Sequence, residues 1–251
     1  MPACEGIAHL QPHRIESAAD AQWNRAAGSR KGLPETVEHP RGFLQLSHSS
    51  ELFRVQGLAV GEIGPLDLAL QPGECVGLSG ASGSGKSRLL RALADLDPHA
   101  GQMWLDGDPA AALMPWEWRR RVALLPAESA WWHDTVGPHF PDAPADAALA
   151  ALGFEPAVMD WRIDRLSSGE KQRLALLRVL TLRPRVLLLD EPTANLDRDN
   201  AGRAEALIRA YLDESGAGAI WVGHDQAQLQ KVAVRCYRVE ADGAVRQDRA
   251  A

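Results

Sequence analysis

From Leu52 onward the apolar residues fall into short β-prone runs and longer stretches at helical spacing. LFRVQGLAV and LDLAL, followed after a Pro-Gly turn by ECVGLSG, predict strands bounded by turn residues. SRLLRALADL then repeats its apolar positions at helical intervals, so the order is strand, glycine-rich loop, helix. GQMWLDGD and RRVALLPA read as two further strands, and the Trp-, Pro- and Ala-rich stretch from Glu128 to Arg165 predicts helical pieces. A long helix is expected from about Ser168 to Leu182, then the apolar strand RVLLLDE, a helix over about 199–213 and the strand AIWVGHD. The end, CYRVEADGAVRQ, reads as a hairpin closed by Asp242-Gly243. Strands alternating with helices imply an α/β fold with a mostly parallel, covered sheet.

Residues 1–51 have no sustained apolar period and read as a disordered extension, with 247–251 as a short tail. Cys4, His9, His13, His39 and His48 match no metal-ligand spacing. The 45% hydrophobic content is enough for a real core. No run approaches the roughly 20 apolar residues that a membrane span needs, and the start lacks a secretory pattern, so a cytoplasmic location is expected. Three cysteines at irregular spacings fit a reducing compartment. A net charge of −6 argues against a surface built to grip nucleic acid.

GASGSGKS, spanning Gly80, Ala81, Ser82, Gly83, Ser84, Gly85, Lys86 and Ser87, fits the pattern of a phosphate-binding loop and lies between a strand and a helix. The glycines let backbone N–H groups approach phosphate oxygens, Lys86 brings a point charge, and Ser87 offers a hydroxyl to Mg²⁺. A flexible Ser/Gly loop has similar composition, but the flanking strand and helix favour the phosphate reading. About a hundred residues later a buried strand ends in Asp190 and Glu191, suited to hold Mg²⁺ and to orient an attacking water. Strand-end acids also cap helices, and it is the pairing with the phosphate loop that favours catalysis. Ser167, Ser168, Gly169 and Glu170 open the long helix; Ser167 with Glu170 is also a capping box, and the two roles are compatible.

The order GASGSGKS, LSSGEKQR, VLLLDEPTANLD, WVGHD resembles the ABC ATPase family over nearly all of residues 52–246. The resemblance implies a RecA-like P-loop core over 52–127 and 173–246, with antiparallel β elements, and a small helical subdomain over 128–172. It implies that Ser167 to Glu170 complete the opposite subunit's site, that Ala194 to Asp197 join the two sites, and that His224 contacts the γ-phosphate. It also implies ATP and Mg²⁺ as cofactors, a homodimer, and a separate integral permease that holds the protein at the inner face of the membrane. Trp131, Trp132 and Phe140 either anchor a permease helix or fill the subdomain's own core.

Three motifs depart from the family pattern. Ser168 and Glu170 stand where glycine and glutamine are usual, and Ala127 with Glu128 replaces a Mg²⁺-sensing glutamine, so Glu128 is the candidate substitute. The aromatic that stacks on adenine is missing, with Val60 near its place. Stacking is worth about 1–3 kcal/mol, so base selectivity is expected to be poor. The expected function is the ATP-hydrolysing subunit of an ABC transporter, most similar in overall character to small ATPases paired with metal or iron export permeases. The alternatives are a soluble ABC protein of translation or DNA maintenance, and a low-turnover nucleotide-binding regulator.

Overall fold

The computed structural model describes residues 51–248, so the N-terminal extension, its histidines and Cys4, and residues 249–251 lie outside the described residues. Ten strands form two sheets. The antiparallel sheet has the order β2-β1-β4-β5, from β1 (Phe53–Val60), β2 (Ile63–Leu70), β4 (Ala100–Leu105) and β5 (Asp108–Pro109). The larger sheet has the order β10-β9-β3-β8-β7-β6. Its strands β3 (Cys75–Gly80), β6 (Val122–Leu125), β7 (Val186–Asp190), β8 (Gly218–Val222) and β9 (Arg235–Val239) run parallel, and β10 (Val245–Gln247) closes the edge antiparallel to β9.

Both faces of the parallel sheet are covered, which is why β7 is a continuous apolar run rather than an alternating one. Val186 and Leu188 point into one core and Leu187 and Leu189 into the other. Ile220 and Val222 of β8 follow the first pair, Ala219 and Trp221 the second. Helix α1 (Lys86–Leu93) buries Leu89, Leu90 and Leu93 in the first core, which it shares with the antiparallel sheet. Helices α4 (Ser168–Thr181) and α5 (Arg198–Ser215) cover the other face with Leu174, Leu177, Ile208 and Leu212.

The hairpin at the end is formed as the sequence predicts, with Gly243 at φ 84 in its turn. The strand expected over RRVALLPA is shorter than predicted. Residues Pro115–Arg121 form helix α2, begun by Pro115, whose missing N–H costs nothing at a first helical position, and by Glu117 accepting the Met114 N–H at 3.0 Å. Only Val122–Leu125 pair as β6. Between Glu128 and Arg165, one six-residue helix, α3 (Asp146–Ala151), is accompanied by 3₁₀ turns at 137–139, 156–160 and 163–165. Pro138, Pro141, Pro144 and Pro156 explain why no longer helix forms there.

The adjacent tryptophans of this segment, Trp131 and Trp132, part company. Trp131 packs against the second core and Phe140 is buried in it, whereas Trp132 is 65% exposed. The Arg178 guanidinium lies over both indoles, 4.7 Å from Trp131 and 5.1 Å from Trp132.

Trp118 fixes α2 beneath α1: it is fully buried, its Nε1 donates to the Leu93 carbonyl at 3.0 Å, and its ring lies 5.9 Å from that of Phe53. Trp118→Ala removes the filling and orphans that carbonyl, and urea unfolding is expected to show a loss of about 3–5 kcal/mol. A loss below about 1 kcal/mol would mean that this corner does not depend on the indole.

Candidate functional site

The parallel strands β3, β7 and β8 end on the same edge of the sheet, where open α/β sheets bind ligands. Beyond β3 the loop Gly80–Gly85 turns into α1. Gly85 has φ +93, and a Cβ there would lie 2.0 Å from Ile63 Cδ1. Gly80 has φ +145, and a Cβ there would meet the Val239 carbonyl at 2.7 Å. Glycine is required at both on conformation and on space. Lys86, the first residue of α1, is 5% exposed and its Nζ donates to the carbonyls of Gly80 at 3.0 Å and Ala81 at 2.8 Å. Burial pulls its pKa down, and the nearby charges of Glu191 and Asp190 oppose that.

Asp190 ends β7, is 6% exposed, and faces the Ser87 hydroxyl, which donates to it. Its carboxyl is held above the ordinary value of 3.8, chiefly by burial and further by the Glu191 charge; the Ser87 bond and the Lys86 and His224 charges act the other way. Asp190 Oδ1 and Ser84 Oγ are buried polar atoms without a hydrogen-bond partner. A buried carboxylate oxygen with no donor, beside a serine hydroxyl, is a hard-oxygen set that fits Mg²⁺.

Glu191 follows in a left-handed backbone, φ 49, uncommon for a residue with a side chain. Its N–H donates to the Val222 carbonyl of β8 at 3.1 Å, and its Oε1 lies 2.8 Å from His224 Nε2. The structure thus brings Lys86, Ser87, Asp190, Glu191 and His224 together.

Among the described residues, Ser167 to Glu170, Asp197 and Glu128 make no hydrogen bond or ion pair with these five. Ser167 and Glu170 form a reciprocal cap. The Ser167 Oγ accepts the Glu170 N–H at 3.2 Å, and the Ser167 N–H and hydroxyl each donate to Glu170 Oε2 at 2.8 Å. Gly169 sits so close to the 194–197 segment that a Cβ would come within 3.0 Å of the Asn195 carbonyl. Asp197 caps α5 by accepting the Asn200 N–H at 2.9 Å, and its pKa is lowered first by that bond. Glu128 is exposed after β6. Among the described residues no hydrogen bond or ion pair joins Glu128, or the group from Ser167 to Glu170, to the phosphate loop. Val60 is 2% exposed and so offers no face to a base.

Sequence reasoning missed helix α6 (Gln226–Val232), which begins two residues after His224 and is capped by Asp225. Seven residues are too few for a periodic signal, although Asp225 followed three residues later by Gln228 fits a helix-start signature.

The ABC transporter family profile matches residues 63–194. An aliphatic sulfonates import ATP-binding protein of Paracoccus denitrificans, SsuB 2, is 42% identical over 169 residues, 64% of each chain. The probable iron export ATP-binding protein FetA of Escherichia coli is 32% identical over 176 residues, covering 65% of this chain and 78% of that protein. Among solved structures, an ATP-binding subunit of an ABC transporter superposes with a TM-score of 0.71 at 20% identity over 78% of this chain and 89% of the other. Clostridium perfringens cbiO1, described as part of the cbiONQ complex, gives 0.66 at 22% over 79% and 88%.

The raised pKa of Asp190 has a consequence for stability. A carboxyl whose folded value lies above its unfolded one favours folding below the unfolded value, and that contribution is lost as pH rises through the folded value. Without nucleotide or metal, Asp190→Asn is therefore expected to melt above the native chain at pH 7, with the difference shrinking toward pH 3.8. Equal or lower melting at neutral pH would show that the Asp190 charge is not destabilising.

Proposed function

The chain belongs to the ABC transporter family of ATP-binding subunits, and from that premise we propose that it binds and hydrolyses MgATP as a homodimer serving a separate membrane permease. Among the described residues no helix is long and apolar enough to cross a membrane, so the proposed membrane contact is made through that permease, on its inner face. The observation that carries this reading is the convergence of Lys86, Ser87, Asp190, Glu191 and His224 at the carboxyl ends of three adjacent parallel strands.

Loop N–H groups from Ala81 to Ser87 and the Lys86 ammonium cradle the β and γ phosphates. Ser87 and Asp190 are the residues that would hold Mg²⁺, which when bound neutralises charge developing on the phosphates. Glu191 orients and deprotonates the attacking water, and His224, paired with it at 2.8 Å, reports the γ-phosphate. Ser167, Ser168, Gly169 and Glu170 of one copy close over the triphosphate held by the other. The Ser167 hydroxyl then leaves Glu170, its present partner, for a phosphate oxygen. The 194–197 segment, packed against Gly169, links that closure to Glu191 in the same chain. Glu128 is assigned a metal contact only through water. The relatives are named for transport in both directions, so cargo is assigned to the permease, and transport is favoured over translation or DNA maintenance.

Glu191→Gln should bind ATP normally, accumulate as an ATP-bound dimer in sedimentation, and release phosphate more slowly by about 10²–10⁴-fold. Native turnover in that variant would remove Glu191 from the role of base. Because Val60 is buried, GTP is expected to compete with ATP in equilibrium binding; a preference for ATP above about a hundredfold, some 2.7 kcal/mol, would point to a base platform elsewhere.

A further inference from the structure

Behind the Glu191–His224 pair lies a partly buried junction of three segments. Thr193, two residues after Glu191, is buried. Gln228 is on α6, four residues after His224, and its Nε2 donates both hydrogens, to Thr193 Oγ1 at 2.8 Å and to Glu205 Oε1 of α5 at 2.8 Å. The second Glu205 oxygen takes the Lys231 ammonium, also from α6. At its backbone, Gln228 is bound with Ala227 to Asp225 Oδ1, the cap immediately after His224. One residue thus fixes both the segment leaving Glu191 and the start of the helix that follows His224.

That tie matters because of how Glu191 is held. A left-handed backbone in a residue with a side chain persists only where its surroundings over-determine it. On the β8 side the Glu191 N–H is bound to Val222. On the other side lies an open cleft of about 570 Å³, lined by Glu191, Thr193, His224, Gln228 and Lys231 among others. The Gln228–Thr193 hydrogen bond ties α6 to the segment leaving Glu191 beside that cleft.

We propose that Gln228 is a positioning residue for hydrolysis. Acting through Thr193 and Asp225, it keeps the Glu191 carboxylate and the His224 ring at their 2.8 Å spacing. This rests on the ATPase reading above, and its test has one readout that does not.

In the full chain, Gln228→Ala and the volume-keeping Gln228→Met are compared with native protein for kcat, for KM and, without nucleotide, for the His224 ring resonance after histidine-selective labelling. Misplacement of about 1 Å can cost a hundredfold, so kcat should fall by about ten- to a hundredfold. KM for ATP should stay within about twofold, and the His224 resonance should move. The pair Gln228→Glu with Glu205→Gln exchanges donor and acceptor. The new amide at 205 donates to the new carboxylate at 228, the Thr193 hydroxyl turns to donate, and Lys231 keeps an acidic neighbour three residues away on its own helix. This double variant should regain kcat to within about threefold of native and restore the resonance, whereas Gln228→Glu alone, facing the Glu205 carboxylate, should not.

A native kcat and a native resonance in both Gln228→Ala and Gln228→Met would overturn the proposal, and so would a loss of kcat that the exchange does not rescue. If the native chain releases no phosphate the ATPase reading fails instead, while the resonance still decides whether Gln228 holds His224 in place.

Discussion

An ammonium group taken out of water is costly unless the structure surrounds it with acceptors and opposite charge. Lys86 is such a group. The carbonyls of Gly80 and Ala81 receive it inside the loop, and Asp190 and Glu191 face it from the end of β7, one strand beyond β8. Asp190 is the mirror case, a buried carboxyl only partly compensated by Ser87 and Lys86. The site is thus a concentration of charge on buried groups, and the ligand proposed to complete it is a magnesium-bound triphosphate.

The rest of the fold makes that concentration possible. Two fully covered faces let β3, β7 and β8 be apolar along their length and carry polar residues only where they end. Helix α1 is clamped between the two sheets, with Trp118 beneath it, so the residue at its start cannot move away from the strand ends. The group from Ser167 to Glu170 lies outside this arrangement, capped on itself and packed through Gly169 against the segment that leaves Glu191. A surface that is internally satisfied yet packed against the segment leaving Glu191 is the one proposed to meet a second copy.

The residues of the proposed site were legible in the sequence because each part of the proposed chemistry demands particular residue types at fixed offsets. GASGSGKS, the acids after RVLLLD and the histidine after WVG declare themselves without any knowledge of packing, and the apolar runs of β7 and β8 announce a covered parallel sheet. Short elements were not legible. Helix α2 hides in a stretch whose arginines and following apolar residues read as one strand, and α6 is too brief to show a period. The junction of Thr193, Glu205 and Gln228 joins positions far apart in the chain, and no local pattern reports such a meeting. The segment from Glu128 to Arg165 escaped finer reading because its prolines break helix while its Ala and Leu content suggests it.

Under the proposed function the buried Lys86 ammonium is a binding group for a triphosphate rather than a structural cation. Equilibrium binding of MgATP to the native chain and to Lys86→Ala, with melting temperatures recorded for both, tests it most directly. Saturable binding of one nucleotide per native chain is expected and, for the variant, affinity lower by at least about tenfold, 1.4 kcal/mol, in a protein that still folds. Undetectable binding by the native chain, or equal affinity in the two, would contradict it.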